Sequence, residues 1–246
     1  MNINNMPILI ICIGILLMIL ERIFPDQKLP DVKGWWKRVI ILNFFQLLVV
    51  ILGKYTWDNW FSNYSFFDLD SKLPTIISGF LTYFVITFVF YWWHRWRHTI
   101  NALWLVFHQV HHSPQRIETI TSFYKHPLEI IVNSIIIGFI NFYVFGLNLE
   151  SAQYTLLFAS LGEYFYHMNI KTPYWLGYFF QRPEMHRIHH EQGKHFNNFS
   201  DFPIWDMLFG TYLNPKKMYD KCGYKTEREV QLKRMLLFKN VNNPFK

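Results

Sequence analysis

The chain has 246 residues, of which 51% are hydrophobic and 20% aromatic but only 17% charged, a balance that excludes an ordinary soluble domain and suggests a membrane protein. Its net charge of +7 is not gathered into the dense basic blocks of nucleic-acid tails, so no nucleic-acid partner is expected and attraction to anionic lipid explains the charge better. The two cysteines, Cys12 and Cys222, form no CxxC, which removes support for zinc fingers and cysteine-ligated iron–sulfur clusters.

In chain order, Met6 to Leu20 is apolar and runs on to Phe24 through Glu21 and Arg22. Residues 1–5 lack the charged opening of a signal peptide, so this run is expected to be a retained anchor. Val39 to Gly53 is a second apolar run, preceded by Trp35, Trp36, Lys37 and Arg38 as interfacial anchors. Pro74 to Trp93 carries no charge and opens on a proline suited to a helix start. Pro127 to Leu149 and Ser151 to Tyr166 carry one glutamate each, Glu129 and Glu163, and the tight connection Gly146–Glu150 predicts a helical hairpin. The expected fold is therefore an all-α integral membrane protein of four to five transmembrane or re-entrant helices, with a cytoplasmic helical cap. The lysines and arginines of residues 21–38, of the segment 94–126 and of everything beyond His167 place those regions on the cytoplasmic side. The basic stretch Lys216 to Lys239 is expected to be a solvated, membrane-hugging tail.

All eleven histidines fall between His94 and His195. They form three tight groups: HRWRH (His94, His98), HQVHH (His108, His111, His112) and HRIHH (His186, His189, His190), with His126, His167 and His195 alone. On a helix, residues i, i+3 and i+4 share a face, so each group is expected to aim its imidazoles in one direction and clamp one metal or neighbouring metals. A helix from Pro74 to about Thr99 is roughly 39 Å long against a hydrocarbon core of about 30 Å, which sets His94 and His98 at headgroup level. Imidazole suits iron, zinc, copper and nickel, and eight or nine of them exceed what one tetrahedral zinc uses. Two metals fit the count, and iron, unlike zinc, has the redox chemistry to attack an unactivated C–H bond. A lone histidine is more often structural, which applies in full to His195. The alternative class is a non-enzymatic membrane metal-binding or transport protein; transport would call for ligands near mid-membrane, whereas these histidines flank the spans.

The motifs HRWRH, HQVHHS, KHPLE, HMN and HRIHH, followed by NNFSDFPIWDMLFGTY, resemble the fatty acid hydroxylase superfamily, also called the sterol desaturase family, over about residues 80–215. The short length and compact tail look most like bacterial members. The resemblance implies a catalytic domain over 74–215, between N-terminal membrane helices and loops (1–73) and a basic C-terminal tail (216–246). It implies two iron ions, a bilayer lipid substrate, O2 and a site on the cytoplasmic face of a bacterial inner membrane. By the same match, the metal ligands are His94, His98, His108, His111, His112, His186, His189 and His190, with His167 of HMN as a further ligand. His126 of KHPLE is a ligand or a support to one, with Glu129 orienting it; Asn169 and Asn197 are further candidates for hydrogen-bonding support. The chain departs from the family pattern at Tyr124, where many bacterial relatives have arginine, and at Asn198–Ser200, NFS in place of NYG. No GxG appears, so electrons must come from an external donor: a ferredoxin, a cytochrome b5-like protein or a reductase.

Overall fold

In the structure, a computed structural model that describes residues 6–193, 196–219 and 221–242, the apolar runs become helices whose ends follow the local chemistry. The elements in order are α1 (Met6–Ile23), α2 (Trp35–Tyr55), α3 (Trp57–Phe61), α4 (Thr75–Thr99), α5 (Asn101–Leu103), α6 (Pro127–Gly138), α7 (Leu149–His167), α8 (Pro183–His189), α9 (Pro203–Leu208), α10 (Thr226–Glu229) and α11 (Leu232–Leu236). Proline occupies the first turn of α6, α8 and α9, where its missing N–H costs nothing. Two wide π turns extend the set, Trp104–His108 after α5 and Phe139–Val144 after α6. Among the described residues the only β pairing is an isolated bridge between Glu191 and Cys222.

Four segments are long and apolar enough to cross a membrane: Met6–Ile23, Trp35–Phe61, Thr75–Thr99 and Pro127–Val144. The fifth expected run, inside α7, has the length but is too polar, so it belongs to the helical hairpin without meeting the standard of a span. That hairpin forms as expected: Gly146 turns the chain at φ +61°, and the Asn148 side chain caps α7 by accepting from the N–H groups of Glu150 and Ser151.

α4 packs along α7, and α2 along α6. The first contact is close because Gly79 has no side chain; a Cβ there would lie 2.6 Å from Cβ of Tyr154. α1 is fixed at its end by the buried Glu21, whose carboxylate accepts from the N–H groups of Thr119 and Asn169.

The C-terminal region differs from the solvated tail expected of it. Tyr224 and Met235 are fully buried in a cluster with Trp35, Val39 and Tyr124. Glu229 ties the segment down by accepting from Arg38 at 3.1 Å and from the backbone of Gln115 at 3.2 Å. The basic residues occupy the outer face while regularly placed apolar ones bury, a pattern that net charge alone conceals.

Candidate metal centre

α4 carries His94 and His98 one turn apart at its end, so both rings leave the same face. The Trp104–His108 π turn and the turns after it carry His108, His111 and His112; α7 ends on His167; α8 carries His186 and His189, with His190 just beyond. These nine histidines converge in two groups. His94, His98, His108, His112 and His189 form one, and His111, His167, His186 and His190 the other; within each group the ligand nitrogens lie within 4.8 Å of one another. Every ring is buried except that of His94, which is half-buried.

This arrangement revises the expectation that each histidine triplet points one way. His108 and His112 join the first group while His111, between them, crosses to the second. The other triplet divides in the opposite sense: His186 and His190 join the second group and His189 crosses to the first. In both triplets the i and i+4 members stay together and the i+3 member crosses, although residues 104–112 are a π turn and hydrogen-bonded turns while His186 and His189 lie on a regular α-helix.

Five of these rings are oriented by a hydrogen bond at the second nitrogen. Nδ1–H of His94 donates to the Phe199 carbonyl at 2.8 Å, that of His111 to Tyr124 at 3.3 Å, that of His167 to Glu163 at 2.7 Å and that of His189 to Asn197 at 2.7 Å. Nδ1–H of His108 donates to the Glu129 carboxylate at 3.1 Å, and Glu129 is itself ion-paired with Arg97. Fixing the proton on Nδ1 leaves Nε2 as a lone-pair donor. Nε2 of His94 and of His108 is buried and has no hydrogen-bond partner among the described residues. In the second group Nε2 of His186 lies 3.0 Å from Nε2 of both His167 and His190. Inward-facing, partnerless nitrogen lone pairs are what a nitrogen-preferring transition metal requires, so the residues fit such an ion.

Electrostatics agree. Burial, and after it a neighbouring cationic group or imidazole, pushes His108, His111, His112 and His186 well below the ordinary imidazole value. Burial takes His167 down to about 4 against the opposing pull of Glu163. The rings are therefore neutral at pH 7, the form that binds metal.

The supporting residues are placed unevenly. Glu129 faces His108 and not His126. His126 stands apart from both groups; it caps α6 by accepting the Leu128 N–H, and its Nε2 meets the Leu236 carbonyl at 3.4 Å. Asn169 donates to the Gln27 carbonyl and holds the end of α1. Asn197 meets His189 through its backbone oxygen, while its amide donates to Thr211. His195 lies outside the described residues.

Several residues escaped sequence reasoning. The carbonyls of Phe199, Tyr124 and Glu163 carry no side-chain signal, although Tyr124 and Asn198–Ser200 stood out as departures. Asn198 adopts φ +57° and bonds Met185 and Leu213, turning the chain so that Phe199 lies against His94, His98 and His189. A small cavity of about 40 Å³ adjoins the imidazoles, lined among others by Phe90, Asn133, Tyr166 and Asp201. Burial raises Asp201 to about 7, and it accepts the Tyr83 hydroxyl at 2.8 Å.

Helices able to cross a membrane, with two clusters of buried imidazoles at the end of one of them, define the class of histidine-rich membrane proteins. Residues 79–211 match the fatty acid hydroxylase family model, and the chain belongs to that family. It is 28% identical over 141 residues to a sphingolipid C4-hydroxylase of Schizosaccharomyces pombe, covering 56% of this chain and 48% of that protein. It is 30% identical over 189 residues to the alkylglycerol monooxygenase of Homo sapiens, covering 72% and 39%. It is 32% identical over 177 residues to a very-long-chain aldehyde decarbonylase of Oryza sativa, covering 65% of each. The chain thus spans less than half the length of the first two relatives. No solved structure matches it significantly.

Proposed function

We propose that this chain is a membrane-bound, non-haem di-iron oxygenase that hydroxylates or desaturates a lipid C–H bond with O2. His94, His98, His108, His112 and His189 hold one iron, and His111, His167, His186 and His190 the other. The observation that carries the reading is the division of nine converging imidazoles into groups of five and four. Five nitrogen donors exceed tetrahedral zinc, and a four-nitrogen neighbour leaves room for a further ligand. When bound, iron supplies the O2 activation and the C–H chemistry that no side chain offers.

The protein's own part is to hold and to exclude. The carbonyls of Phe199, Tyr124, Glu163 and Asn197, with the Glu129 carboxylate, hold the rings in one tautomer. Phe199 and Trp104, packed on the rings, keep water away. Residues 74–215 form the catalytic unit, with the site at the cytoplasmic face of a bacterial inner membrane. The relatives' printed activities, on sphingolipids, alkylglycerols and very-long-chain aldehydes, support a lipid substrate. Electrons reach the site from a separate ferredoxin, cytochrome b5-like protein or reductase.

The test is comparative lipidomics of membranes with and without the protein under labelled O2. A product bearing one labelled oxygen marks a hydroxylase, and one lighter by two hydrogens marks a desaturase. Tightly held zinc without any O2-dependent product would overturn the proposal.

A further inference from the structure

Facing stripes of α4 and α6 change character together along the membrane normal. On α4, Val85, Val89, Trp93 and Arg97 follow one another at intervals of four; on α6 and its π extension, Glu129, Asn133, Ile136 and Ile140 do so at four, three and four. The two stripes meet as rungs. Arg97 pairs with Glu129 beside the imidazoles, and Trp93 Nε1–H donates to Asn133 Oδ1 at 2.8 Å. Beyond that rung both stripes line a cavity of about 450 Å³ whose walls are wholly hydrocarbon, Phe61, Val85, Val89, Ile136 and Phe139 among them. Val85 and Phe139 are exposed on the membrane-spanning surface, so the cavity opens toward lipid.

The cavity falls within the roughly 300–1,000 Å³ of typical ligand sites, yet it offers no polar group to orient a headgroup. On the other side of the Trp93–Asn133 rung lies the cavity of about 40 Å³ beside His94, His108, His111 and His186. Val89 and His94 are five residues apart on α4, about 7.5 Å along the axis, so a chain lying in the apolar cavity needs only a few more carbons to reach the imidazoles. At about 40 Å³ the inner cavity has room for a few methylenes and not for a fused ring system.

We propose that the α4–α6 cleft binds one unbranched alkyl chain of a bilayer lipid, and that the Trp93–Asn133 hydrogen bond is the gate between the apolar cavity and the imidazoles. This inference rests on the oxygenase reading for its purpose, but not for its test. Lipid headgroups stay outside the cleft, sterols are excluded by the small inner volume, and Val89 and Ile136 set how deeply a chain seats.

The metal-loaded protein in nanodiscs is photolabelled with palmitic acid carrying a mid-chain diazirine, and labelled peptides are mapped by mass spectrometry. Labelling is expected on residues 85–93 and 133–139, displaced by excess palmitate and not by cholesterol. Val89→Trp fills the apolar cavity and lowers that labelling about tenfold, the loss expected when a few methylenes lose their burial, while labelling of α1 is unchanged. Asn133→Leu leaves the cavity open but removes the acceptor for Trp93; a probe with its diazirine near the methyl end then labels residues around His94 and Glu129 more strongly than in the parent protein. Iron content and thermal unfolding of each variant separate misfolding from loss of binding. Cleft labelling that is insensitive to both substitutions, or is displaced equally by cholesterol, overturns the proposal. Chain-specific labelling in a protein that holds no iron leaves the proposal standing and removes the oxygenase reading instead.

Discussion

His108 donates its Nδ1–H to Glu129 at 3.1 Å, and the same carboxylate oxygen is bound by Arg97, so one buried anion joins α4, α6 and the π turn that carries His108. The carboxylate both fixes the tautomer of His108 and strengthens its free nitrogen as a donor. Glu129→Gln keeps the shape and removes the charge. It should weaken metal retention or activity by about 10- to 100-fold, as outer hydrogen-bond partners of metal ligands commonly do. Competition with a chelator measures the first quantity; retention equal to that of the parent protein would count against the role.

The buried imidazoles give the metal-free protein a definite pH response. Burial holds His108, His111, His112 and His186 well below the ordinary imidazole value and His167 at about 4, whereas in the unfolded chain the value is near 6.5. Between those limits the unfolded chain binds more protons, so stability is complete above about 6.5 and is lost as pH falls toward about 4. Chemical denaturation of chelator-treated protein in detergent, scanned from pH 8 to pH 4, should show this loss, and His167→Gln should remove part of it. A flat profile would contradict the burial of neutral rings.

Asp206 organises the loop that orients His94. Its carboxylate accepts from the N–H groups of Phe199 and Ser200 and from the Thr211 hydroxyl, at 2.8, 3.1 and 2.7 Å. Asp206→Ala leaves the buried N–H groups of Phe199 and Ser200 unpaired and takes one of the two partners of the Thr211 hydroxyl, which also meets Tyr91, and should cost about 2–4 kcal/mol of stability. It should also loosen metal from the five-imidazole group before the four-imidazole one, because Phe199 holds a ring of the first. Equal loss from both would mean that the loop acts only through global stability.

Gly146 turns the hairpin between α6 and α7 at φ +61°, and a Cβ there would lie 2.4 Å from the Phe67 carbonyl oxygen. Gly146→Ala should lower stability by about 1–2 kcal/mol from the left-handed backbone alone, and further from the clash. Gly193, at φ +84°, has open space around it, so Gly193→Ala carries only the backbone term. Thermal unfolding of the two variants side by side separates the contributions.

Much of this architecture was legible in the chain. Uncharged runs located the helices because hydropathy reports membrane solvation directly, and the turn at Gly146 followed from a short break between two such runs. Eight of the convergent histidines were picked out because spacing and family motif agree on them, and His167 by the family motif alone. Their division was not legible. His112 and His190 stack with ring centroids 4.1 Å apart yet belong to different groups, and each triplet sends its middle member, His111 or His189, across to the other. Spacing says which side chains leave a helix on one side, not how that side is shared between two neighbouring sites, and the regular helix α8 divides its histidines as the π turn does. His126 misled for a different reason: a histidine before proline is also a good helix cap, and capping is the use the fold makes of it. The buried C-terminal segment was hidden because its contacts, Tyr224 and Met235 on α2, join parts of the chain far apart in sequence.

The most direct test of the central claim is the metal content of protein isolated without exchange, alone and with one substitution in each group. The account predicts two irons per chain without a Soret band, falling to about one in His98→Ala and about one in His186→Ala. Tightly bound zinc, a single metal in the parent protein, or loss of all metal from either variant alone would contradict it.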